Sequence, residues 1–395
     1  MADLAINGGA PVRAEMLPYG RQSIDDEDVD AVVRVLRSDW LTTGPNVPAF
    51  EEAFASRTGA GYAVAVSNGT AALHTAIFAA GIQPGDEVIV TPMTFAASAN
   101  CVRYQGGTVI FADVCPNSLL LDPSEVQAKI TPRTRAIISV DFAGNPGHYD
   151  ELREIAERHD LVFIADACHA PGATYKERPV GSLGDMNVFS FHPVKHITTG
   201  EGGMITTGDA GLAEKMRLFR NHGITSDHRQ RERTGSWHYE MVSLGYNYRI
   251  TDIQCALGIT QLRKLTAWVS RRRGIASRYT RAFSSVPQVE PPLVMPDRDP
   301  SWHIYVIHLN LDRLTVGREQ IFKALRAENI GVNVHYLPVP WHPYYQNLGY
   351  AKGQWPVAES AYERILTLPI WPGMSDADVE DVINAVKKVV SAYAR

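Results

Sequence analysis

Apolar residues recur along the chain with two spacings, one typical of amphipathic helices and one typical of buried strands. The first helix is predicted just after the acidic pair Asp25 and Asp26. Its apolar stripe follows the i, i+3, i+4, i+7 spacing of one helix face and consists of Val29, Val32, Val33 and Leu36. A second helix is predicted to carry Phe50 and Phe54.

Short, nearly continuous apolar runs predict strands, and helical segments separate most of them. The predicted strands are Ala63 to Val66, Glu87 to Val90, Thr108 to Phe111, Ala136 to Val140, Leu161 to Ala165 and Gly203 to Thr207. The predicted helices between them include one that ends near Ala80, one from about Phe95 to Tyr104, one from Tyr149 to His159 and one that runs through Phe219. This alternation predicts an α/β fold with a mainly parallel sheet that is covered on both faces.

The C-terminal third changes to an α+β pattern, so we expect two domains in a chain of this length. Its predicted elements are a strand from Ile304 to Leu309, a helix from Arg318 to Glu328, a strand from Val332 to Tyr336 and a last helix from about Asp376. We expect the boundary inside a long helix. Residues 1–262 would form the large domain, with an irregular arm at 1–22, and residues 263–395 the small one.

Composition and charge exclude several classes of protein. With 45% hydrophobic residues, 21% charged residues and a net charge of −5, the chain has no general surface for nucleic acid. Its four cysteines are far apart and form no CxxC pair, which favours reduced thiols and no zinc site. The sequence shows neither a signal peptide nor an apolar run of membrane-spanning length, so a cytoplasmic protein without membrane contact is predicted.

A lysine between a short apolar strand and a glycine-rich turn is the main candidate for chemistry. Lys195 lies in FHPVKHITTGEGG, Phe191 to Gly203, and Asp166 follows the apolar run from Leu161 to Ala165. A carboxylate at the end of a strand commonly faces the ligand crevice of an open α/β sheet. Together the two side chains could hold a pyridine cofactor, the lysine as a Schiff base on its aldehyde and the aspartate on its ring nitrogen. A solvated surface position is the ordinary alternative for any single lysine.

A phosphate site is indicated by SNGTAAL, Ser67 to Leu73, which follows a strand and begins a helix. The backbone around Gly69 and the hydroxyl of Thr70 could bind phosphate at the positive end of that helix, and Ser190 could reach the same group. Small polar helix caps are common, so this signal is weak alone. A nucleotide-binding fold is disfavoured, because no GxGxxG follows a strand and no GxxxxGK[ST] is present.

Two nearby residues have two interpretations each. Phe95 follows a strand end and could stack on an aromatic cofactor ring or belong to the core. His169 lies three residues after Asp166 and could donate to a ring oxygen or be a buried structural histidine.

Four segments occur in the same order as in the DegT/DnrJ/EryC1/StrS family of sugar-nucleotide aminotransferases, which the sequence resembles over nearly its whole length. They are SNGTAAL (Ser67 to Leu73), DACHAPGA (Asp166 to Ala173), VFSFHPVKHITTGEGG (Val188 to Gly203) and GYNYRITDIQCALG (Gly245 to Gly258). Each motif is weak singly, but the ordered set is specific. The resemblance implies a fold-type I enzyme that uses pyridoxal 5′-phosphate (PLP) and forms a homodimer with active sites at the subunit interface.

The same resemblance implies a role for each matching residue. Lys195 would bind the cofactor covalently, Asp166 would pair with the pyridinium nitrogen, and Phe95 would stack on the ring. The phosphate would be held by Gly69, Thr70 and Ser190, with Asn247 reaching it from the neighbouring subunit, and His169 would face the ring hydroxyl. Arg249, His335 and Tyr336 would contact the substrate.

Within the family the chain most resembles the UDP-4-amino-4,6-dideoxy-N-acetyl-β-L-altrosamine transaminases of pseudaminic acid biosynthesis. This likeness lies in SVDFAGN (Ser139 to Asn145), FHPVK (Phe191 to Lys195) and VHYLPVPWHPYY (Val334 to Tyr345). It implies that glutamate donates an amino group to C4 of a 4-keto-6-deoxy sugar nucleotide. The alternatives are a 3-keto sugar aminotransferase of the same family and a non-catalytic regulatory protein with the same fold. Family members that dehydrate the sugar carry histidine in place of the lysine, so Lys195 favours transamination.

Overall fold

A seven-stranded sheet forms the centre of the larger part of the chain. The computed structural model describes residues 4–226, 231 and 235–395. Its first nine strands are β1 Tyr62–Val66, β2 Glu87–Val90, β3 Thr108–Phe111, β4 Thr134–Val140, β5 Val162–Asp166, β6 Thr174–Tyr175, β7 Arg178–Pro179, β8 Met186–Ser190 and β9 Gly203–Thr207. The central sheet has the order β1-β9-β8-β5-β4-β2-β3. Only β9 runs against its neighbours, so the predicted mainly parallel sheet is confirmed.

Helices cover both faces of this sheet. Successive strand residues point to opposite sides, and because both sets are apolar, both faces need to be covered. The helices of this part are α1 Asp26–Leu36, α2 Asn46–Thr58, α3 Gly69–Ala79, α4 Ala97–Tyr104, α5 Pro123–Lys129, α6 Tyr149–His159 and α7 Ala210–Arg220. In β4, Ile138 belongs to a buried cluster with Ile77 of α3, whereas Ile137 belongs to another with Phe54 of α2. Two separate cores therefore stabilise the sheet.

The next helix, α8 Asp252–Phe283, connects two of the hydrophobic cores. Its Leu262 and Leu265 pack with the central sheet, whereas Ile275 and Tyr279 pack in a third cluster that belongs to the C-terminal part. The helix is continuous through residue 262. Up to Val269 it packs against the cluster of the central sheet, and from Ile275 it packs in the C-terminal cluster. The predicted boundary near residue 262 stays a prediction.

A small antiparallel sheet with the order β10-β12-β13 organises the third cluster. The remaining elements are β10 Val289–Glu290, β11 Arg298–Asp299, β12 Tyr305–Leu309, α9 Arg318–Ala327, α10 Pro343–Gln346, α11 Pro356–Tyr362, β13 Ile365–Leu368 and α12 Asp376–Ala392. The predicted start of the last helix is confirmed, with a capping box between Ser375 and Asp378. Leu4 and Leu17 of the N-terminal segment pack in this cluster, and Leu17 bridges to Ile330.

Two sequence predictions of local structure differ from the structure, and one helix was missed. Residues 332–336 do not form a strand, since Asn333 makes only an isolated bridge to Thr367. The helix predicted from about Phe95 begins at Ala97, and α5 was not predicted. Within the described ranges, no helix is both long and apolar enough to span a membrane.

Candidate active site

A cavity of about 760 Å³ opens at the carboxyl ends of the parallel strands, beside the start of α3. A cavity at this edge is the usual ligand site of an open α/β sheet. The predicted site residues that line it are Gly69, Thr70, Phe95, Asp166, His169, Ser190, Lys195, His335 and Tyr336. The structure therefore brings together residues that are far apart in the sequence, from Gly69 to Tyr336. Of the predicted set, only Asn247 and Arg249 do not line this cavity.

Asp166 ends β5 and is held by two hydrogen bonds. The hydroxyl of Ser98 donates to Oδ2 at 2.6 Å, and the backbone N–H of Cys168 donates to Oδ1 at 3.2 Å. Ser98 is fixed in turn by the hydroxyl of Thr94, 2.8 Å away. The carboxylate is thus fixed in one orientation at the bottom of the cavity. Sequence reasoning missed Ser98, whose only signal was its place one turn after Phe95.

Lys195 lies in the tight loop that follows β8. Its backbone N–H donates to the carbonyl of His192 at 2.8 Å, and Phe191 at the start of the loop pairs with Gly202 at 2.8 Å. The side chain is partly open to the cavity but otherwise enclosed by protein. Burial lowers the pKa of the Lys195 amine despite the nearby carboxylate of Asp166. A lysine with a lowered pKa is more often neutral, and a neutral amine can act as a nucleophile or base.

The start of α3 lies directly against β8 and β9, which only glycine permits. A Cβ atom on Gly69 would lie 2.9 Å from Cβ of Ser190, and one on Gly203 would lie 2.4 Å from the carbonyl oxygen of Asn68. Asn68 caps the helix by accepting from the N–H of Ala71 at 2.8 Å. The positive helix end therefore opens on the cavity beside the hydroxyls of Thr70 and Ser190.

Two buried imidazoles form one wall of the cavity. Nε2 of His169 lies 3.1 Å from the hydroxyl of Tyr336, and its ring centre is 4.4 Å from that of His303. In the described part of the chain, Nδ1 of each histidine is buried without a hydrogen-bond partner. Burial, followed by the charge of Lys195, lowers the pKa of both imidazoles well below the usual value. Sequence reasoning missed His303, whose segment SWHIY gave no signal of a site.

Phe95 and His335 both line the cavity near Tyr336 but differ in exposure. The ring of Phe95 is 61% exposed, and its centre is 6.3 Å from that of Tyr336. His335 is buried, with Nδ1 2.8 Å from the hydroxyl of Thr367 and its ring 5.6 Å from Tyr19 of the N-terminal segment. Phe95 is therefore not a core residue, and the second of its two interpretations is wrong.

Asn247 and Arg249 lie outside this cavity in the subunit described. Asn247 forms a bridge with Asn221, whose side-chain oxygen accepts a 2.8 Å hydrogen bond from the guanidinium of Arg249. Arg249 lines a separate pocket of about 130 Å³ together with Arg220, and burial followed by the charge of Arg220 lowers its pKa. Neither residue lines the cavity that contains Lys195.

The cavity fits a phosphorylated pyridine cofactor. A helix start bounded by glycine and two hydroxyls suits a phosphate, a fixed carboxylate suits a protonated ring nitrogen, and a partly desolvated amine suits an aldehyde. Nδ1 of His169, which has no hydrogen-bond partner among the residues that the structure describes, offers a polar contact to such a cofactor.

Comparisons with known proteins agree with this chemistry. The profile of the DegT/DnrJ/EryC1/StrS aminotransferase family matches residues 22–387. The spore coat polysaccharide biosynthesis protein SpsC of Bacillus subtilis is 44% identical over 381 residues, which are 96% of this chain and 98% of that protein.

Solved structures are similar over the same length. PseC of Helicobacter pylori, an aminotransferase of pseudoaminic acid biosynthesis, has a TM-score of 0.89 and 32% identity and covers 96% of this chain and 100% of its own. The PLP form of the putative sugar aminotransferase Spr1654 of Streptococcus pneumoniae has a TM-score of 0.89 and 30% identity, with 95% and 99% covered. The chain belongs to the DegT/DnrJ/EryC1/StrS aminotransferase family and is a sugar aminotransferase that depends on PLP.

Proposed function

We propose that the enzyme transfers the amino group of glutamate to C4 of a 4-keto-6-deoxy sugar nucleotide, UDP-linked, in a pathway of the pseudaminic acid type. The proposal is supported by the likeness to PseC and by the shared segments around Ser139–Asn145 and Val334–Tyr345. The observation that carries it is the presence of Lys195 and Asp166 in one cavity that also contains the glycine-bounded helix start.

The proposal gives the predicted residues of the cavity separate tasks in holding the cofactor. Lys195 would anchor the cofactor's aldehyde, and Asp166, oriented by Ser98, would hold a proton on the pyridine nitrogen. Gly69, Thr70 and Ser190 would hold the phosphate. When bound, the cofactor supplies an electron sink for the carbon that gains or loses a proton.

His169 and Phe95 would position the cofactor ring from two sides. The imidazole of His169 is buried and held by Tyr336, so it can offer Nδ1 to a ring oxygen without first losing water. Phe95 offers an exposed aromatic face at the rim, which suits contact with a flat ring.

Lys195 would also move the proton during transfer. Burial lowers the pKa of its amine, so the free amine is neutral at a lower pH than an ordinary lysine and can accept a proton from the donor's Cα. In the second half of the reaction Lys195 would deliver a proton to the carbon of the sugar that receives the amino group. Glutamate leaves as a 2-oxo acid and the keto sugar leaves as an amino sugar, so the reaction needs no external oxidant or reductant.

The homodimer is part of the proposal. Asn247 and Arg249 flank Tyr248, which lines the cavity, but neither of them lines the cavity of its own chain, and this supports a role in the site of a second copy. In that arrangement Asn247 would contact the phosphate and Arg249 the substrate, while His335 and Tyr336 would contact the substrate from the same subunit as Lys195.

The acceptor carbon is tested by a panel of 4-keto and 3-keto sugar nucleotides incubated with enzyme, PLP and glutamate. We expect 2-oxoglutarate and a C4-amino product, identified by NMR, with the 4-keto compounds only. Turnover of the 3-keto compounds alone would assign transfer to C3, and turnover of neither set would refute the proposed class of acceptor.

A further inference from the structure

A second groove, of about 530 Å³, lies next to the catalytic cavity. It is lined by Ala96, Asn100, Arg103, Tyr104, His342, Pro343, Tyr344 and Tyr345. Tyr104 lines both the groove and the cavity, and Ala96 lies between two cavity residues, Phe95 and Ala97. A ligand held in the cavity could therefore continue into the groove past Tyr104. Its volume is that of an ordinary small-molecule site, about 300–1,000 Å³.

The two walls of the groove are joined by a partly buried hydrogen bond. Asn100 and Tyr104 are four residues apart on one face of α4, and the opposite wall is α10 with the residue before it, His342. The hydroxyl of Tyr345, whose ring is 2% exposed, donates to Oδ1 of Asn100 at 2.8 Å. The groove is thus already formed before anything binds, which lowers the entropy cost of binding.

Two tyrosine rings offer aromatic faces to an occupant. Tyr104 is 51% exposed and Tyr344 is 54% exposed. Tyr344 stands nearly perpendicular to Tyr345, at 88° with ring centres 5.2 Å apart, so the buried ring supports the exposed one. Exposed aromatic faces of this kind stack on nucleic-acid bases.

The polar groups of the groove favour an anion. Nη1 of Arg103 donates to the carbonyl of Gly107 at 2.5 Å, and its Nε is enclosed by protein, so a ligand in the groove would contact the outer end of the guanidinium. Across the ranges that the structure covers, no carboxylate lies within ion-pair distance of Arg103, and no residue that lines the groove carries one. A guanidinium without an acidic partner is a ready contact for phosphate oxygens.

We propose that this groove binds the nucleoside diphosphate part of the substrate, with the base against Tyr344 and the diphosphate near Arg103. The sugar would then reach past Tyr104 into the cavity that contains Lys195. This inference rests on the proposed function, since it assigns a place to the nucleotide of the same substrate.

Calorimetric titration of the PLP-loaded enzyme with UDP tests the aromatic contact. Because base stacking is commonly worth a factor of about ten in affinity, Tyr344→Ala should weaken UDP binding about tenfold, whereas Tyr344→Phe should retain it. Tyr62→Ala is the matched control, because Tyr62 is a partly exposed tyrosine on β1 outside the groove. Equal UDP affinities for the wild type and Tyr344→Ala would overturn the proposal.

A second arm tests the anion contact. Arg103→Gln should weaken UDP binding while leaving the affinity for uridine, which has no phosphate, unchanged. If Arg103→Gln weakened both ligands equally, or neither, the diphosphate assignment would be wrong.

The same samples separate this inference from the proposed function and from a subunit interface. If glutamate fails to bleach the wild-type enzyme while UDP binding still depends on Tyr344, the proposed function fails and the groove assignment stands. If glutamate bleaches the enzyme but UDP binding ignores Tyr344, the groove assignment fails. Sedimentation showing that Tyr344→Ala breaks up the oligomer with unchanged UDP affinity would assign the groove to a second copy of the chain.

Discussion

The hydroxyl of Ser98 donates a hydrogen bond of 2.6 Å to Oδ2 of Asp166 and so joins α4 to the end of β5. The second oxygen of the carboxylate accepts from the backbone N–H of Cys168. Because the two contacts come from different elements, the direction of Asp166 is set by the packing of the helix on the sheet. In the proposed function this direction decides how well the carboxylate holds a proton on the cofactor ring.

Replacement of Ser98 should therefore weaken cofactor binding. A hydrogen bond to a charged group contributes about 1.5–3 kcal/mol, so Ser98→Ala should raise the dissociation constant for PLP about tenfold or more. Fluorescence titration of the apoenzyme with PLP measures this. Ser124→Ala, which removes a surface hydroxyl that bonds to Asp122 at 2.7 Å, is the matched control and should leave the affinity unchanged. An unchanged affinity in Ser98→Ala would show that Asp166 does not depend on this contact.

The close approach of α3 and β8 predicts opposite effects for two glycine substitutions. In Gly69→Ala the new methyl group would lie 2.9 Å from Cβ of Ser190, so we expect a loss of about 1–3 kcal/mol in unfolding free energy and weaker PLP binding. Gly274→Ala, inside α8 with no atom within 4 Å of the new Cβ, should stabilise the protein by about 0.5–1 kcal/mol. Urea unfolding measures both. Equal stability of the two variants would contradict the close packing at Gly69.

The buried carboxyl of Asp141 predicts a dependence of stability on pH. Burial raises its pKa to about 7 from 3.8, although Tyr149 and the N–H of Gly147 donate hydrogen bonds to it at 2.7 and 2.8 Å. Between these pKa values the folded state binds more protons than the unfolded state. Asp141 therefore contributes its full amount to the free energy of unfolding at low pH, and this contribution is lost as the pH rises through about 7.

Asp141→Asn cannot ionise and serves as the reference. The unfolding free energy of the wild type relative to this variant should fall by up to about 4 kcal/mol between about pH 4 and pH 8. If the difference in unfolding free energy between the wild type and Asp141→Asn does not change, or increases with pH, the pKa of Asp141 is not raised in the folded protein.

Shared active sites predict recovery of activity when two inactive variants are mixed. Lys195→Ala lacks the proposed lysine, and Asn247→Ala lacks the proposed phosphate contact from the neighbouring subunit. Refolding the two together should produce mixed dimers with one intact site each, and about one quarter of the wild-type activity. Lys195→Ala mixed with a second sample of itself is the control. No recovery in mixed dimers would place Asn247 outside the partner's site.

Most of the fold could be predicted from the sequence, because the strands of the central sheet are buried on both faces. Such strands carry nearly continuous apolar runs, as in Val88–Val90 and Val109–Phe111, and the predicted bounds of these two strands, Glu87–Val90 and Thr108–Phe111, agree with the structure. Strand direction could not be predicted, because β9 has the same apolar pattern whether it runs parallel or antiparallel. The segment at 332–336 alternates like a strand, but its backbone pairs with β13 only at the isolated bridge between Asn333 and Thr367, and His335 contacts the hydroxyl of Thr367 through its ring.

The candidate site could be predicted in part. Strand ends, glycine turns and a loop lysine give local signals, so Asp166, Gly69 and Lys195 could be proposed from the sequence. Ser98 and His303 could not, because their position in the cavity depends on how α4 and the segment before β12 pack against the sheet. The separation of Asn247 from the cavity is likewise a matter of tertiary structure.

The covalent attachment of the cofactor to Lys195 is the central claim, and one chemical measurement tests it most directly. Purified enzyme is reduced with borohydride, which converts a lysine–PLP imine into a stable amine, and the digested protein is analysed by mass spectrometry. We predict a phosphopyridoxyl group on Lys195 in the wild type and none on the corresponding peptide of Lys195→Ala. A modification on another lysine, or none in wild-type enzyme loaded with PLP, would contradict the account.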